Sequence, residues 1–596
     1  MGSRLTWRRL CRAAAGIVAL ATLGACATVP SGGPVLTGHA LENSDPLSDP
    51  YVRMIAKPPQ PGWTEKNIVE GFLRASASFD HDQAVARKYL AGKLPNRWRP
   101  DGRVTVYDSP DDYDLRVLSS KSTSGKTATV ELSAKHVGDI STQGDYTATN
   151  TRVIKERFQL TNVRGQWRIS GLPPDAMEGL LLSRRDVKRA YRPLNLYFYD
   201  TRMQTLVPDP VMVPVQSRSQ LATSLVRSLL RGPTAWLSPA VRTAFPRGAE
   251  LRGEAPLNGG TVTVDLGGTV AARSPAALSR MSAQLVWTLR QLPDMRQIRF
   301  EINGASVDVP GASGGHGMQL RTDFADRDPS GLQGGESQPY FVSDGRLFLL
   351  AGSKPTPADG PAGSGVAQLR HPAISFDQSS AAALSPKGDQ LYVAGLSDGG
   401  KLVEHYDGKE ITTPSYDRYG DVWFADRHGN SSDIYLLDRR MHRTTVTSDF
   451  LNSSSVHALR VARDGTRVAA LVGEGKTSKI MIGPIIWSGG GKVRVGQMRQ
   501  IGTDLAEVSD IAWRDADNLV ALGQGPRGAV QPYTVPANGT QASATGYAGP
   551  EAKTITAAPH SAPLLVGTAD GEIWRGNNDD NNWQRSTEGT DPTYPG

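Results

Sequence analysis

From Ser343 onward the sequence repeats one pattern: an apolar strand, a polar turn carrying Gly or Asp, then a second apolar strand. The turns are Ser343-Asp344-Gly345, Ser385-Pro386-Lys387-Gly388, Asp426-Arg427-His428-Gly429, Ala462-Arg463-Asp464-Gly465, Trp513-Arg514-Asp515-Ala516 and Ala558-Pro559-His560-Ser561. Counted from Ser343, Ser385, Ala425, Ala462, Trp513 and Ala558, they recur after 42, 40, 37, 51 and 45 residues. A period of about 40 to 50 residues is the length of a β-propeller blade. Residues 339–596 are therefore expected to form an all-β propeller of six blades. Strands such as Leu391 to Ala394, Val468 to Val472, Leu519 to Leu522 and Leu564 to Val566 follow the turns. An abundance of Gly and Pro (63 and 40 residues) with only 7% aromatics agrees with a turn-rich, β-dominated chain.

Two smaller α+β domains are predicted upstream. In residues 62–191, Thr64 can cap a helix whose apolar face is Ile68, Val69, Phe72, Leu73 and Ala75. A second short helix is expected through Ala84, Val85 and Tyr89. The period then changes to two in Val104 to Tyr107, Ala128 to Lys135, Val153 to Leu160 and Gln166 to Ile169, with Arg164-Gly165 as a turn. Helices followed by an antiparallel sheet are similar to the cystatin-like cone of nuclear transport factor 2 relatives. Such cones often hold a pocket, but the sequence shows no obvious acid/base pair there, and His136 alone reads as a structural or surface histidine.

In residues 193–310, Leu221, Leu225 and Leu229 make a helical stripe that stops at Gly232-Pro233. The strand Val262 to Leu266 comes next. Ser274 then caps a helix with Pro275 in its first turn and Leu278, Met281, Leu285, Val286 and Leu289 on its buried face. Ile298 to Ile302 closes as a strand. Such stripes form a core more often than a partner groove. Residues 311–338 lose periodicity, become rich in Gly, Ser and Asp, and read as a linker or long surface loop.

The N-terminus addresses location. Arg4, Arg8, Arg9 and Arg12 precede an apolar run, Ala13 to Leu23, that is too short for a bilayer core of about 30 Å. Residues 1–25 read as a signal peptide. Leu23-Gly24-Ala25-Cys26 resembles a bacterial lipobox, with cleavage between Ala25 and Cys26 and the Cys26 thiol carrying a diacylglyceryl group. Residues 26–61, including Pro58-Pro59-Gln60-Pro61, read as the lipid anchor and a disordered tether. Cys11 lies in the removed segment, so the mature chain holds one thiol and no internal disulfide, Cys nucleophile or Cys-based metal site is expected.

The formal charge of +7 includes the four signal arginines; without them 62 basic residues face 59 acidic ones, which gives no footprint for nucleic acid. Searches for chemistry return little. Gly473-Glu474-Gly475-Lys476-Thr477 ends a loose P-loop pattern, but Ile480 to Ile482 and Ile485 to Trp487 read as strand where a phosphate-binding helix is needed. Ser313 in Gly311 to Gly315 matches a nucleophile elbow in letters only, because a Gly-rich run follows it. Asp344, Asp389, Asp464 and Asp515 read as turn formers rather than calcium ligands. Trp423, Trp487, Trp513, Trp574 and Trp583 suit packing between blades more than an interface. The Asn/Asp run Asn577 to Asn582 reads as loop. No catalytic, cofactor-binding or metal-binding residue is predicted.

Leu229-Leu230-Arg231-Gly232-Pro233, Val264-Asp265-Leu266 and Ile302-Asn303-Gly304 resemble the GerMN domain of spore germination and sporulation proteins. Together with the lipobox, the tether, Ile68 to Ala75, Tyr89-Leu90 and the propeller repeat, they make the chain resemble the LpqB family of actinobacterial lipoproteins. The resemblance implies a lipid-anchored, non-enzymatic protein on the outer face of the cell membrane, with Cys26 as the N-palmitoyl, S-diacylglyceryl position. It also implies a partner, the extracellular part of a sensor histidine kinase such as MtrB of the MtrA–MtrB two-component system, and a role in cell-envelope homeostasis, division and development. Two other classes remain open on the residues: a peptidoglycan-binding protein of the cell wall and a propeller enzyme.

Overall fold

The computed structural model describes residues 56–596 apart from 80–82, 109–113, 120–126, 216–217, 271–273, 332–336, 352–353, 526–527, 560–561 and 577–581. The signal peptide, Cys26 and most of the tether lie outside the described residues.

The first unit opens with the helix Glu65–Ser76, capped by Thr64 and Asn67, each accepting from the other's backbone. Its apolar face packs on a sheet that joins Gln166–Gly171, Tyr146–Val163, Thr127–Ile140, Arg103–Tyr107 and Gly179–Ser183, with Asp114–Ser119 attached to Thr127–Ile140. The sheet is not wholly antiparallel as expected, because Arg103–Tyr107 and Gly179–Ser183 run parallel. A parallel pair needs a long crossover, here the intervening hairpins, and all of Gly179–Ser183 is buried, so it carries no alternating signal.

The second unit pairs Tyr191–Asp200 with Leu206–Pro214, and sets the helices Arg218–Arg231 and Pro275–Leu289 against a second sheet built on the parallel strands Thr261–Gly268 and Gln297–Ile302. Ser274 caps the second helix by accepting from the amide of Ala277. Residues 311–338 are not simply a linker. Met318–Leu320 adds a strand to Gln297–Ile302, and Phe324 is buried in the second unit's core, its carbonyl accepting from Trp287 Nε1 at 3.0 Å. Three residues are too few to show a strand period in a Gly-rich segment.

From Tyr340 onward the described residues form six antiparallel sheets of four or five strands. Their inner strands, Arg370–Ile374, Ser415–Tyr416, Val456–Val461, Ala506–Trp513, Ala552–Thr556 and Thr590–Thr593, neighbour one another in a closed cycle. The last of these pairs with Tyr340–Ser343, so the end of the region completes the sheet that its beginning opened. The region is propeller-like, and closing a ring in this way leaves few free sheet edges.

Candidate functional site

The three units meet through side chains that sequence reading did not single out. Asp145 of the first unit receives a two-pronged ion pair from Arg499 of the fourth sheet, with Nη2 to Oδ2 at 2.7 Å, and both side chains are largely buried. The same guanidinium lies 4.9 Å over the ring of Trp236 in the second unit. Trp236 Nε1 in turn donates to the carbonyl of Gln497 at 2.8 Å. One arginine thus touches all three units. Bidentate geometry and partial burial make such a pair stronger than an exposed one.

Behind this junction lies Asp209, 1% exposed, whose carboxylate accepts from the Thr234 amide at 2.6 Å and from its hydroxyl at 2.8 Å. Burial pushes its carboxyl up to about 7, against the opposing pull of those hydrogen bonds. The sequence carried a hint of it: Pro208-Asp209-Pro210 puts an acid inside an apolar strand, where only a satisfied carboxyl can stay.

Further contacts seat the second unit on the ring. Asn195 Nδ2 donates to Asp517 Oδ1 at 2.7 Å, and Tyr419 Oη donates to Asp200 Oδ2 at 2.5 Å. Arg202 stacks 3.7 Å over the Tyr419 ring and also faces Trp487. Asp517 is raised to about 6, first by burial and then by Asp515 beside it. Side chains of the second unit and of the fourth and fifth sheets, from Leu194 through Trp287 to Ile511 and Val535, form one continuous apolar core.

A second candidate is the axis of the ring. His371 Nδ1 and Asp591 Oδ1 lie 2.8 Å apart, and Arg460 Nη2 and Asp510 Oδ1 3.2 Å apart, all lining one central cavity. His371 and Asp591 both hold φ of +49°, a left-handed backbone that non-glycine residues rarely adopt. Burial raises the Asp591 carboxyl, but the hydrogen bond and charge of His371 outweigh it and hold the group below its ordinary value. Asp510 is raised by burial despite Arg460. The cavity has a volume of about 70 Å³ and is open to one side. That is room for about two waters, whereas pockets for cofactors and drug-sized ligands run to roughly 300–1,000 Å³. Among the described residues no group of three His, Cys, Asp or Glu side chains is placed to hold a metal ion.

The candidates read from the sequence fall as follows. Ala25 and Cys26 are outside the described residues, as is the run Asn577 to Asn581. Gly475–Thr477 is a single 3₁₀ turn leading into the strand Lys479–Trp487, so no helix N-terminus faces a phosphate there. The amide of Ser313 donates to Asp323 Oδ2 at 3.0 Å, and the next helical turn among the described residues is the 3₁₀ turn Ala325–Arg327, twelve residues on, not a helix opening at the serine. Asp464, Asp389 and Asp515 accept hydrogen bonds within their turns, from Thr466, Ser385 and Asn518, and Asp344 occupies its turn with φ of +49°. Trp423, Trp513 and Trp583 are buried, while Trp487 and Trp574 are half-buried against apolar clusters.

His136 is not the isolated histidine it resembles in sequence. Its Nε2 lies 3.2 Å from Asp139 Oδ1, and its ring is buried. Residues three apart on a strand face opposite sides, and an irregularity between His136 and Gly138 restores them to one side. Burial raises the Asp139 carboxyl, but His136, Arg103 and Thr105 together hold it below its ordinary value.

A small mixed unit, a helix-on-sheet unit and a propeller-like ring, joined into one body, define a multidomain protein with a C-terminal β-rich ring. Family models give the same division: the N-terminal domain of lipoprotein LpqB matches residues 58–188, the sporulation and spore germination domain matches 195–308, and the lipoprotein LpqB β-propeller domain matches 345–595. Lipoprotein LpqB of Thermobifida fusca is 35% identical, covering 96% of this chain and 97% of its own length. Lipoprotein LpqB of Streptomyces coelicolor is 31% identical over 100% and 99%. The chain belongs to the lipoprotein LpqB family, and with it to the membrane-anchored lipoproteins. Among solved structures, TolB from Acinetobacter baumannii covers 43% of this chain and 66% of its own at 15% identity and a TM-score of 0.34. The tandem GerMN domains of GerM from Bacillus subtilis cover 22% and 45% at 20% identity and a TM-score of 0.18.

Proposed function

We propose that this protein is an extracytoplasmic accessory protein, held to the membrane by lipid on Cys26, that binds the extracellular part of a sensor histidine kinase and modulates its two-component signalling in envelope homeostasis, division and development. In this reading the first unit is a cystatin-like cone, the six sheets are six propeller blades, and the protein is not an enzyme. The observation that carries it is the junction at Arg499, where three units are fixed in one geometry. A body whose parts are locked together can transmit the position of a partner, whereas loosely strung domains cannot. The small, charge-compensated axial cavity is consistent with recognition rather than turnover.

The test is capture of the purified kinase ectodomain by the folded mature protein on a surface. Saturable binding is expected, and an Arg499→Glu variant that keeps its fold is expected to bind at least tenfold more weakly because the units lose their fixed arrangement. No binding by a folded wild-type sample would overturn the assignment.

A further inference from the structure

The near-neutral balance of the mature chain conceals a polarity. Residues 56–190 hold 22 Lys and Arg against 16 Asp and Glu, while residues 191–596 hold 39 against 40. The excess concentrates further. Between Gln83 and Pro100 there are five basic residues, Arg87, Lys88, Lys93, Arg97 and Arg99, and no acidic one. Lys88, Lys93, Arg97 and Arg99 are exposed, and no carboxylate of a described residue lies within ion-pair distance of them.

The segment is held firmly beneath these charges. Trp98 is buried and donates from Nε1 to the Ala176 carbonyl at 2.8 Å, and the Tyr89 carbonyl accepts from the Ile169 amide at 2.8 Å. The same segment fixes the point where the chain arrives from its N-terminal side. Tyr89 Oη donates to the carbonyl of Lys57 at 2.6 Å, and the half-buried Trp63 ring sits 6.3 Å from that of Tyr89. The place where the tether joins the folded body is therefore beside the basic surface.

We propose that this face of the first unit docks on the anionic phospholipid headgroups of the membrane that carries the anchor. The proposal rests on the lipid-anchor reading. Thirty residues separate Cys26 from Ala56, so even fully extended the tether reaches at most about 100 Å, and the folded body is confined near the bilayer. Lys and Arg side chains are attracted to an anionic surface only within a screening length of about 8 Å, so the side facing the tether decides the orientation. Trp63 adds an amphipathic ring of the type that settles at headgroup level. Docking here would turn the remaining two units outward, toward a partner.

The experiment uses the mature chain with Cys26→Ser, made without lipid, and vesicles of phosphatidylcholine alone or with about one third phosphatidylglycerol, sedimented at low salt and at about 0.5 M salt. Binding is expected only to the phosphatidylglycerol vesicles and is expected to disappear at high salt. The variant K88Q/K93Q/R97Q/R99Q should bind at least tenfold less while melting at the wild-type temperature. A matched variant on the ring, K387Q/K401Q/K409Q/K476Q, should bind like wild type. Equal binding to both vesicles, equal loss in the two variants, or binding to an anionic cell-wall polymer without binding to vesicles would overturn the proposal. Because the lipid is absent, none of these outcomes depends on whether Cys26 is acylated, which membrane fractionation of Cys26→Ala cells tests by itself.

Discussion

Arg467 and Asp464 make an ion pair at 2.6 Å with side chains only 1% and 0% exposed. Arg467 Nη2 also donates to the Ala516 carbonyl, and its guanidinium lies 5.2 Å over the Trp513 ring. A pair so enclosed is worth little net, yet removing one partner strands the other's charge, at a cost of roughly 3–5 kcal/mol. Arg467→Ala is therefore expected to lower stability by that amount in urea unfolding. Asp209 supplies a pH-dependent counterpart. Its folded value of about 7 stands above the ordinary carboxylate value of about 3.9, so the folded chain holds the proton more tightly than the unfolded one. Its contribution is complete below about pH 4 and is lost as pH rises to about 7. Asp209→Asn should accordingly gain on wild type between about pH 4 and about pH 7, by up to a few kcal/mol at about 1.4 per pH unit crossed, and a gap that does not change with pH would refute this. Neither effect was legible in full from sequence. Pro208-Asp209-Pro210 marked an acid in an apolar strand, whereas Asp464 looked like any other turn aspartate until Arg467 was placed against it.

At the scale of elements, the segments that sequence revealed carry either a regular period or an apolar run beside a turn signal, the latter including the fully buried strand Arg467–Val472. The stripes of Glu65–Ser76 and Pro275–Leu289 and the caps at Thr64 and Ser274 follow from period and cap chemistry alone. Gly179–Ser183 stayed hidden because its short apolar run neither alternates nor belongs to a repeat, and Met318–Leu320 because it is only three residues long. The closing strand Thr590–Thr593 belongs to a third kind, since its partner Tyr340–Ser343 is about 250 residues away in sequence. Deleting Gly589–Gly596 opens that sheet and also removes Tyr594, which is 3% exposed and donates to the Pro563 carbonyl at 2.8 Å. The expected result is loss of amide-exchange protection in Tyr340–Ser343 and Arg370–Ile374 while Glu65–Ser76 keeps its own. Unchanged protection in the first sheet would show that closure does not depend on this strand.

At the scale of the whole molecule, period alone located the repeating region and composition bounded the units, but nothing in one sequence showed how they meet. Asp145, Trp236 and Arg499 lie in three different units, and only folding brings them to one point. The shared core of the second unit with the fourth and fifth sheets predicts that these parts melt together. Calorimetry should show them in one endotherm, with any separate transition belonging to the first unit, whose core draws on the second only at its margin, through Tyr191 and Met212. The central claim is that the three units form one fixed body at the end of a tether. It is tested most directly by electron-spin distance measurement on the mature Cys26→Ser chain labelled at Asn96 in the first unit and Asp398 in the ring, both exposed. One narrow distance distribution is predicted, broadened by Arg499→Ala; a broad or multi-peaked distribution in the otherwise unaltered chain would contradict the account.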